Sequence, residues 1–406
     1  MSRLGGRDAL ITGIGLISPI GKDLAETFAA MIAPEPRPPV ASQRFAPHPV
    51  YPLAEIDLNE QIPRRGDQRQ MGPWQRYGTY AAGLALQDAG LKGETELLAR
   101  TNLIVAAGGG ERDPEADSAV LQVPPDSPGA GAAINESLTT NLRPTLFLAQ
   151  LSNLLAGNIS IVHNVTGSSR TFMGEELSGA MALQVAVQRI RHGQGDLFLV
   201  GGAYNAERED MLLYQAVGAQ LWESFQIPDV WGRPEAGGGL VPASLGAFLV
   251  LEAREHAEAR GAGAYARLDT IVAESGPRDD EDRIRARQAR LLAAVEAELD
   301  DEPIGLLSGA SGAEPATSLE RQFIAALAEK RAVYPRGFGT MTGHGLEAQM
   351  PAGVALAAAA LRHGRFFPPF DGGGFEQAAE APPRTIAVTA WGHWRGEAAA
   401  VIRPAD

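Results

Sequence analysis

GSSRTFMGEELSGAMALQVA (residues 167–186) and DLFLVGGA (residues 196–203) are the two stretches that decide how this chain folds. After Gly174 the first stretch becomes a run of small and apolar residues, which predicts a buried helix that begins near Glu176. The second is an apolar run that ends in Gly-Gly-Ala, which predicts a buried strand. Glu176 is therefore a carboxylate in the first turn of a buried helix, where free backbone N–H groups and the helix dipole favour a negative charge.

The composition excludes several classes of protein. The chain has 406 residues, enough for one large two-lobed domain or two ordinary ones, and its 45% hydrophobic and 21% charged content is that of a globular protein. It contains no cysteine, which excludes disulfides, thiolate metal sites and a thiol nucleophile. A net charge of -14 argues against sequence-independent nucleic-acid binding. Any acidic partner would have to dock on a local basic patch or on a partner subunit.

The sequence also argues against secretion and against a membrane. The N-terminal stretch MSRLGGRDALITGIG leads directly into a strand and has no signal-peptide h-region. No apolar run approaches the roughly 18 residues that a membrane span needs. We therefore expect a cytoplasmic protein without membrane association.

Apolar runs and helical periodicities alternate along the rest of the chain, which predicts an α/β fold. The predicted strands are 7–13, 102–107, 244–252, 266–275, 304–310, 332–334, 385–391 and 398–403, and the predicted helices are 77–90, 253–261, 282–298, 318–330 and 352–363. The acidic, Pro-rich segment 111–128 is predicted to be a mobile loop. Gly13 and Gly15 are not predicted to form a dinucleotide loop, because the third glycine of that motif falls on Ser18; close packing or a positive φ is expected there instead.

Six short segments together resemble β-ketoacyl-acyl-carrier-protein synthases of the elongating type. They are ITGIGLISPIG (11–21), Ser178-Gly179, DLFLVGGA (196–203), LVLEAREHAEARGA (249–262), MTGH (341–344) and FFPPFDGG (366–373). The resemblance covers nearly the whole chain and implies a thiolase-like fold. Two similar α/β halves, residues 1–243 and 244–406, would stack in five layers of helix, sheet, helix, sheet and helix.

The resemblance also implies a catalytic site, and most of that site is substituted. Such enzymes use a Cys nucleophile two residues before the Ser-Gly pair, two His and a Lys. Here the Cys position falls on Glu176, one His position on Ser311 and the Lys position on Gly339, while His344 takes the position of the other His. We interpret Glu176 as a plug in a degenerate site, His344 as a buried histidine without remaining chemistry, and Ser311 as a turn residue.

The C-terminal gating loop of the family aligns with Trp391–Arg395. Trp391 would occupy the gating Phe position, and Trp394 and Arg395 stand where the family keeps small residues. The plainer interpretation of Trp391, His393 and Trp394 is aromatic packing at the end of a strand. The acidic stretch 278–282 is predicted to be a solvated helix start and not a metal site, and no cofactor is expected.

Loss of the nucleophile implies a chain length factor, the ketosynthase β subunit of a type II polyketide or fatty-acid synthase. Such a subunit is inactive alone, forms a heterodimer with an active β-ketoacyl-acyl-carrier-protein synthase, meets the acyl carrier protein transiently and shapes the acyl tunnel at the interface. The segment after the strand 102–107 would lie at that interface. Gln is the usual replacement for the Cys, so Glu176 leaves the pathway open: polyene, aryl-polyene, aromatic polyketide or specialised fatty-acid synthesis.

Two alternatives are also consistent with the sequence. The chain could be a malonyl-carrier decarboxylase or an atypical condensing enzyme that uses Glu176 and His344. A carboxylate is a poor acceptor of acyl groups from thioesters, because the anhydride that forms is higher in energy than the thioester. The other alternative is a carrier-protein scaffold without a role in the tunnel.

Overall fold

A computed structural model of the chain describes residues 7–142, 148–394 and 396–406. The strands are β1 Ala9–Ile17, β2 Asn102–Ala107, β3 Ser169–Met173, β4 Leu197–Tyr204, β5 Leu245–Ala253, β6 Ala266–Glu274, β7 Ile304–Ser308, β8 Val333–Gly337, β9 Ile386–Trp391 and β10 Glu397–Arg403. Every predicted strand is confirmed with small shifts in its ends, and β1 runs four residues beyond the predicted end. The one strand in the opening stretch that the sequence pattern missed is β3.

Helices separate most of these strands. They are α1 Leu24–Met31, α2 Arg65–Gln70, α3 Pro73–Asp88, α4 Thr95–Arg100, α5 Pro114–Leu121, α6 Ala130–Asn141, α7 Leu154–His163, α8 Glu176–Arg191, α9 Glu209–Val217, α10 Arg254–Ala259, α11 Glu281–Glu296, α12 Ala316–Ala328, α13 Gly339–Thr342 and α14 Gln349–His363. Short 3-10 turns cover Leu58–Glu60, Pro234–Ala236 and Leu346–Ala348. Within the described ranges, every helix is too short or too polar to span a lipid bilayer.

The sheet contains the same motif twice. Its strand order is β3-β2-β4-β5-β1-β6-β10-β9-β7-β8. The first five strands have the order 3-2-4-5-1, and the last five, read from the far edge and renumbered, have the same order. In each half the third, second and fourth strands run parallel, and the fifth pairs antiparallel with the fourth and the first. Two residue pairs, Leu10 with Arg267 and Ile11 with Ala266, join the halves.

Three apolar clusters show the layers. The central cluster contains side chains from both halves of the sheet and from α8 and α14 between them. A second cluster holds α3 and α7 against the outer face of the first half, and a third holds α11 and α12 against the outer face of the second half. The order is therefore helix, sheet, helix, sheet and helix, which confirms the predicted thiolase-like architecture.

The predicted boundary between the halves, at 243/244, lies directly before β5. β5 lies between β4 and β1 in the sheet, so a boundary before it would separate a strand from both of its neighbours. We propose that the halves divide after β5, in the connection that contains α10.

Close packing explains the early glycines. A Cβ atom at Gly13 would lie 2.5 Å from the carbonyl oxygen of Ala85, and one at Gly15 would overlap the carbonyl oxygen of Ala81. Both glycines lie inside β1 against α3, and neither has a positive φ. Of the two roles predicted for these glycines, close packing is confirmed.

The prediction of a mobile loop at 111–128 is wrong in its central part, which forms α5. Asp113 caps this helix, because its side chain accepts hydrogen bonds from the backbone N–H groups of Glu115 and Ala116, and Pro114 occupies the first helical position. The acidic residues and the proline that suggested a loop form the start of a helix. The exposed helix α6 follows, and none of its residues is buried.

Candidate functional site

Glu176 lies at the centre of the molecule because the first turn of α8 packs closely against neighbouring backbone. Ser178 donates a hydrogen bond from Oγ to the carbonyl oxygen of Glu175 at 2.7 Å, which closes the first turn. A Cβ atom at Gly179 would lie 2.5 Å from the carbonyl oxygen of Glu347, so only glycine allows this helix to approach the turn Leu346–Ala348. The Ser-Gly pair therefore places the Glu176 side chain, which is 1% exposed, in the interior.

His344 arrives at the same point from the second half of the chain. Gly343, with φ +72°, turns the backbone after α13, and the N–H of His344 then donates to the carbonyl oxygen of Val241 at 2.9 Å. The ring is 1% exposed. Its Nε2 atom lies 2.8 Å from Oε1 of Glu176, so Glu176 and His344 form a buried hydrogen-bonded pair.

The pair sets the electrostatics of the site. Burial alone would raise the pKa of the Glu176 carboxyl, but the hydrogen bond and attraction of His344, with smaller help from His393, outweigh burial and hold that pKa below its usual value. Glu176 is therefore a carboxylate at neutral pH, and Nε2 of His344 donates to it. The other ring nitrogen of His344, Nδ1, is buried without a hydrogen-bond partner among the described residues.

Ser311 lies in the same site and is bonded to a second histidine. Its Oγ atom is 3.1 Å from Nε2 of His393, and the rings of His393 and His344 have their centroids 6.3 Å apart at an angle of 89°. Both Ser311 and His393 are buried. Burial lowers the pKa of His393 to about 4, with Glu176 opposing and His344 and Arg278 adding to this shift, so the ring is neutral at pH 7. The interpretation of His393 as aromatic packing alone missed this contact.

Ser311 is also a turn residue, as predicted. Its Oγ accepts a hydrogen bond from the N–H of Ala313 at 3.2 Å, and its carbonyl oxygen accepts one from Nη1 of Arg233 at 2.9 Å. Arg233 is fully buried, and burial lowers its pKa to about 10. This guanidinium holds the backbone of the turn that presents Ser311 to His393.

Gly339, the predicted lysine position, is closely surrounded by other atoms. A Cβ atom at Gly339 would lie 2.7 Å from the carbonyl oxygen of Ala310 and 3.3 Å from Cγ1 of Val230. A longer side chain cannot leave this position without moving a backbone. The place that the resemblance gives to Lys therefore has no room for one.

Trp391 does not gate the site, which corrects the prediction. Its ring packs at 4.9 Å from the ring of Phe323 on α12, in the outer apolar cluster of the second half. Side chains alternate along β9, so Ala390 faces the central layer and Trp391 faces away from it. For Trp391 the plainer interpretation, packing at a strand end, is the correct one.

The segment after β9 enters the site through its backbone and through His393. A Cβ atom at Gly392 would lie 3.0 Å from Oε2 of Glu176, and Arg278 fixes the segment by donating to the carbonyl oxygen of Gly392 at 2.5 Å and to Glu397 at 2.6 Å. Trp394 turns outward, and its ring packs at a tilt against the ring of Tyr214, with 5.5 Å between the ring centroids. Arg395 lies outside the described residues.

A second buried acid, Glu347, was missed by sequence reasoning. Burial raises its pKa to about 8, and Glu176 and Glu175 add to the shift while Arg208 opposes it. Its side chain points at Gly108, where a Cβ atom would overlap Oε1. The cavity beside it measures only about 10 Å³, the volume of about one water molecule at most. The only hint in the sequence was a Glu three residues after MTGH.

The acidic stretch 278–282 behaves as a helix start. The Asp280 side chain accepts hydrogen bonds from the N–H groups of Asp282 and Arg283 and caps α11. In the part of the chain that the structure describes, no three His, Cys, Asp or Glu side chains are grouped so that they could hold a metal ion.

This geometry restricts the chemistry. A carboxylate does not form a stable acyl intermediate with a thioester, and the Nε2 proton of His344 is committed to that carboxylate. His344 therefore cannot stabilise an oxyanion unless Glu176 leaves. His393 is a neutral imidazole, and its hydrogen bond to Ser311 keeps its ring near the ring of His344.

Comparison with known proteins agrees with the fold. The family model of the β-ketoacyl synthase N-terminal domain matches residues 7–257. The 3-oxoacyl-(acyl-carrier-protein) synthase 2 of Vibrio harveyi is 25% identical over 270 residues, which cover 64% of this chain and 61% of that protein. The match thus spans less than two thirds of that relative's length.

Another relative matches over more of its length. The tetracenomycin polyketide synthase ketoacyl synthase beta subunit of Streptomyces glaucescens is 28% identical over 367 residues, which cover 87% of this chain and 85% of that protein. Among solved structures, the ishigamide ketosynthase/chain length factor superposes with a TM-score of 0.79 at 20% identity over 99% of this chain and 100% of that one, which shows the same fold. Since the family model spans more than half of its residues, the chain belongs to the β-ketoacyl synthase family.

Proposed function

We propose that this chain is a non-catalytic chain length factor, which pairs with an active β-ketoacyl-acyl-carrier-protein synthase and shapes the acyl or polyketide tunnel. The observation that carries the proposal is the buried pair of Glu176 and His344, with 2.8 Å between Oε1 and Nε2. In this proposal Glu176 takes the position of the nucleophile. Its carboxylate accepts the Nε2 hydrogen bond of His344, the one catalytic histidine that the chain keeps. A site filled in this way cannot accept an acyl group.

Two surfaces support a partner. Strand β3 pairs with β2 on one side, and no other strand in the described part of the chain covers its second side. Helix α6 buries none of its residues, so packing within this chain contributes little to its stability. An open edge strand and an unsupported helix are both surfaces that a second subunit would cover. A similar protein that is named a beta subunit agrees with this arrangement.

The acyl carrier protein is proposed as a transient partner, in the cytoplasm. The pathway is not assigned among polyene, aryl-polyene, aromatic polyketide and fatty-acid synthesis, because side chains of the partner subunit complete the tunnel. The segment 111–133, which contains α5, is the proposed tunnel and interface segment.

Co-expression with a ketosynthase that keeps its Cys, both His and its Lys tests the proposal. We expect a one-to-one complex whose product length changes when Ala132, which is exposed on α6, is replaced by Trp. Ala99→Trp, at an exposed alanine on α4, is the matched control and should leave the product unchanged. A stable homodimer that binds no ketosynthase would contradict the proposal. Unchanged product length with a stable complex would favour the scaffold alternative.

The second candidate is decarboxylation of malonyl-carrier protein with Glu176 and His344. The proximity of His393 favours it, because a second imidazole near His344 restores part of the residue set that such a reaction uses. Incubation of the purified chain with malonyl-carrier protein separates the candidates. The chain length factor releases no carbon dioxide, with or without Glu176→Ala, whereas release that depends on Glu176 would establish the decarboxylase.

A further inference from the structure

A cavity outside the Glu176 site lies beside β8, the last strand at the far edge of the sheet. It measures about 330 Å³ and is open to solvent, and its walls come from residues 32–34, 366–369 and 378–382. Arg336 on β8 also lines it. Sites for small molecules in proteins measure about 300–1,000 Å³. The cavity therefore has room for a small organic molecule.

The walls of this cavity are apolar and poor in hydrogen-bond donors. Phe366 and Phe367 contribute two aromatic rings, whose centroids lie 5.8 Å apart. The carboxylate in the wall belongs to Glu380, which is exposed. Four of the lining residues are prolines and have no backbone N–H group, namely Pro34, Pro368, Pro369 and Pro382. A ligand would therefore gain mainly from burial of an apolar body.

Arg336 places a buried positive charge at the cavity. Its side chain is 0% exposed, and its guanidinium lies over the ring of Phe366 at 5.1 Å. Nε donates to the carbonyl oxygen of Phe367 at 2.8 Å, and Nη1 donates to that of Pro335 at 2.6 Å. Within the described ranges, Nη2 has no hydrogen bond and the guanidinium forms no ion pair. The two carbonyl groups thus hold the side chain in place and leave Nη2 free for a ligand.

The nearby carboxylates do not neutralise this charge. Burial lowers the pKa of Arg336 to about 10, with Glu376 and Asp371 opposing the shift, so the guanidinium is charged at neutral pH. Glu376 is bonded elsewhere, because its Oε1 atom accepts hydrogen bonds from the N–H of Gly337 at 2.6 Å and from Nε1 of Trp231 at 2.8 Å. A buried charge without a partner carries a desolvation cost, which an anion in the cavity would offset.

A single guanidinium among apolar walls favours one class of anion. A carboxylate carries one charge, and its two oxygens match the N–H groups of a guanidinium. A phosphate group carries more charge and needs more donors, which walls rich in proline do not supply. The carboxylate of Glu380 further disfavours a second negative charge. The chemistry that fits is a monocarboxylate on an apolar body.

We propose that the cavity beside β8 binds a small monocarboxylic acid, with its carboxylate on Nη2 of Arg336 and its aliphatic or aromatic body against Phe366 and the prolines. The site would be present in a chain length factor and in a decarboxylase alike, because none of its lining residues belongs to the Glu176 site.

Calorimetric titration of the purified chain with phenylbutyrate tests the site. We expect saturable binding that Arg336→Gln weakens about tenfold or more, because a charge-assisted hydrogen bond is lost. Arg331→Gln changes another buried arginine, which donates to the carbonyl oxygen of Asp300, and should bind phenylbutyrate as the wild type does. Phenylbutanol, which has the same body without the charge, should bind the wild type about tenfold more weakly.

A second variant tests the cavity without removing Arg336, and it decides the matter if Arg336→Gln does not fold by circular dichroism. Ala379 lines the cavity, so Ala379→Trp should fill it and weaken phenylbutyrate binding about tenfold or more. Ala99→Trp, at an exposed alanine on α4, is the matched control and should leave the affinity unchanged.

Four results would overturn the inference. The first is a folded wild-type chain that shows no saturable binding of phenylbutyrate. The second is unchanged affinity in Ala379→Trp or in folded Arg336→Gln, which would place the acid elsewhere on the chain. Equal affinities for phenylbutyrate and phenylbutanol would mean that Arg336 does not recognise the carboxylate. Inorganic phosphate that displaces phenylbutyrate at equal concentration would make the cavity a site for any small anion.

Discussion

The Nε2 atom of His344 lies 2.8 Å from Oε1 of Glu176, and both side chains are almost completely excluded from solvent. The two residues come from different halves of the chain, 168 positions apart. A buried carboxylate without its partner would carry a large desolvation penalty, so each residue depends on the other. The pair thus joins the two halves of the chain at the centre of the molecule.

Glu176→Ala should lower the free energy of unfolding by about 2–4 kcal/mol, because it leaves a cavity and a buried imidazole N–H without an acceptor. Glu176→Gln keeps an oxygen in the same position and should cost clearly less. Urea unfolding followed by circular dichroism measures both values. Equal stability of the two variants would mean that the hydrogen bond between Glu176 and His344 contributes nothing.

Glu320 should make stability depend on pH. Its carboxyl accepts hydrogen bonds from Oγ of Ser308 at 2.6 Å and Oγ1 of Thr389 at 2.5 Å, yet burial raises its pKa from 4.5 to about 7. Between these two values the folded state holds the proton and the unfolded state does not. The contribution of Glu320 is therefore complete at or below pH 4.5 and is lost as the pH rises to about 7, by about 3 kcal/mol.

The variant Glu320→Gln tests this sign. It cannot ionise, so its stability relative to wild type should rise by about that amount from pH 4.5 to 7. Urea midpoints of both proteins across this range give the difference. A constant difference would show that Glu320 titrates normally in the folded state.

The strands of the core were predictable because burial on both faces makes them continuous apolar runs. β2 was placed at Asn102–Ala107 by pattern alone, with the bounds that the structure has. The pattern does not predict β3, Ser169–Met173, because its residues are mostly polar and exposed; its strand conformation comes from pairing with β2, which no local pattern reports. Asp113-Pro114 was a usable helix-start signal inside a segment whose composition suggested a loop.

The site was predictable only as a set of positions. The resemblance brought Glu176, Ser311 and His344 together, and the structure places them in one buried site. The contact between Ser311 and His393 joins residues 82 positions apart and depends on how the segment after β9 turns, so spacing could not show it. Side chains alternate along β9, so Trp391 points away from the central layer. This orientation can be predicted only when it is known which face of β9 lies toward the central layer.

His393 should remain neutral far below the usual pKa of histidine. Burial lowers its pKa from 6.5 to about 4, so its ring signals in a two-dimensional NMR spectrum should not titrate between pH 8 and about 5. In that same range the unfolded state takes up a proton that the folded state does not, so this residue makes the protein less stable as the pH falls from 6.5 toward 4. The exposed ring of His192 is the internal reference for assignment of the spectrum. A titration midpoint of His393 near 6.5 would place the ring in solvent and remove its bond to Ser311.

Gly339→Ala should destabilise the fold, although glycine to alanine in a helix is usually favourable. The new Cβ would lie 2.7 Å from the carbonyl oxygen of Ala310, a backbone atom that cannot rotate away, and we expect a loss of about 1–3 kcal/mol. Gly66→Ala in α2 is the matched control, because nothing lies within 4 Å of its Cβ position and alanine there should be neutral or stabilising by up to about 1 kcal/mol. Thermal and urea unfolding of both variants measure the difference. Equal effects at the two positions would mean that the space around Gly339 can accept a side chain.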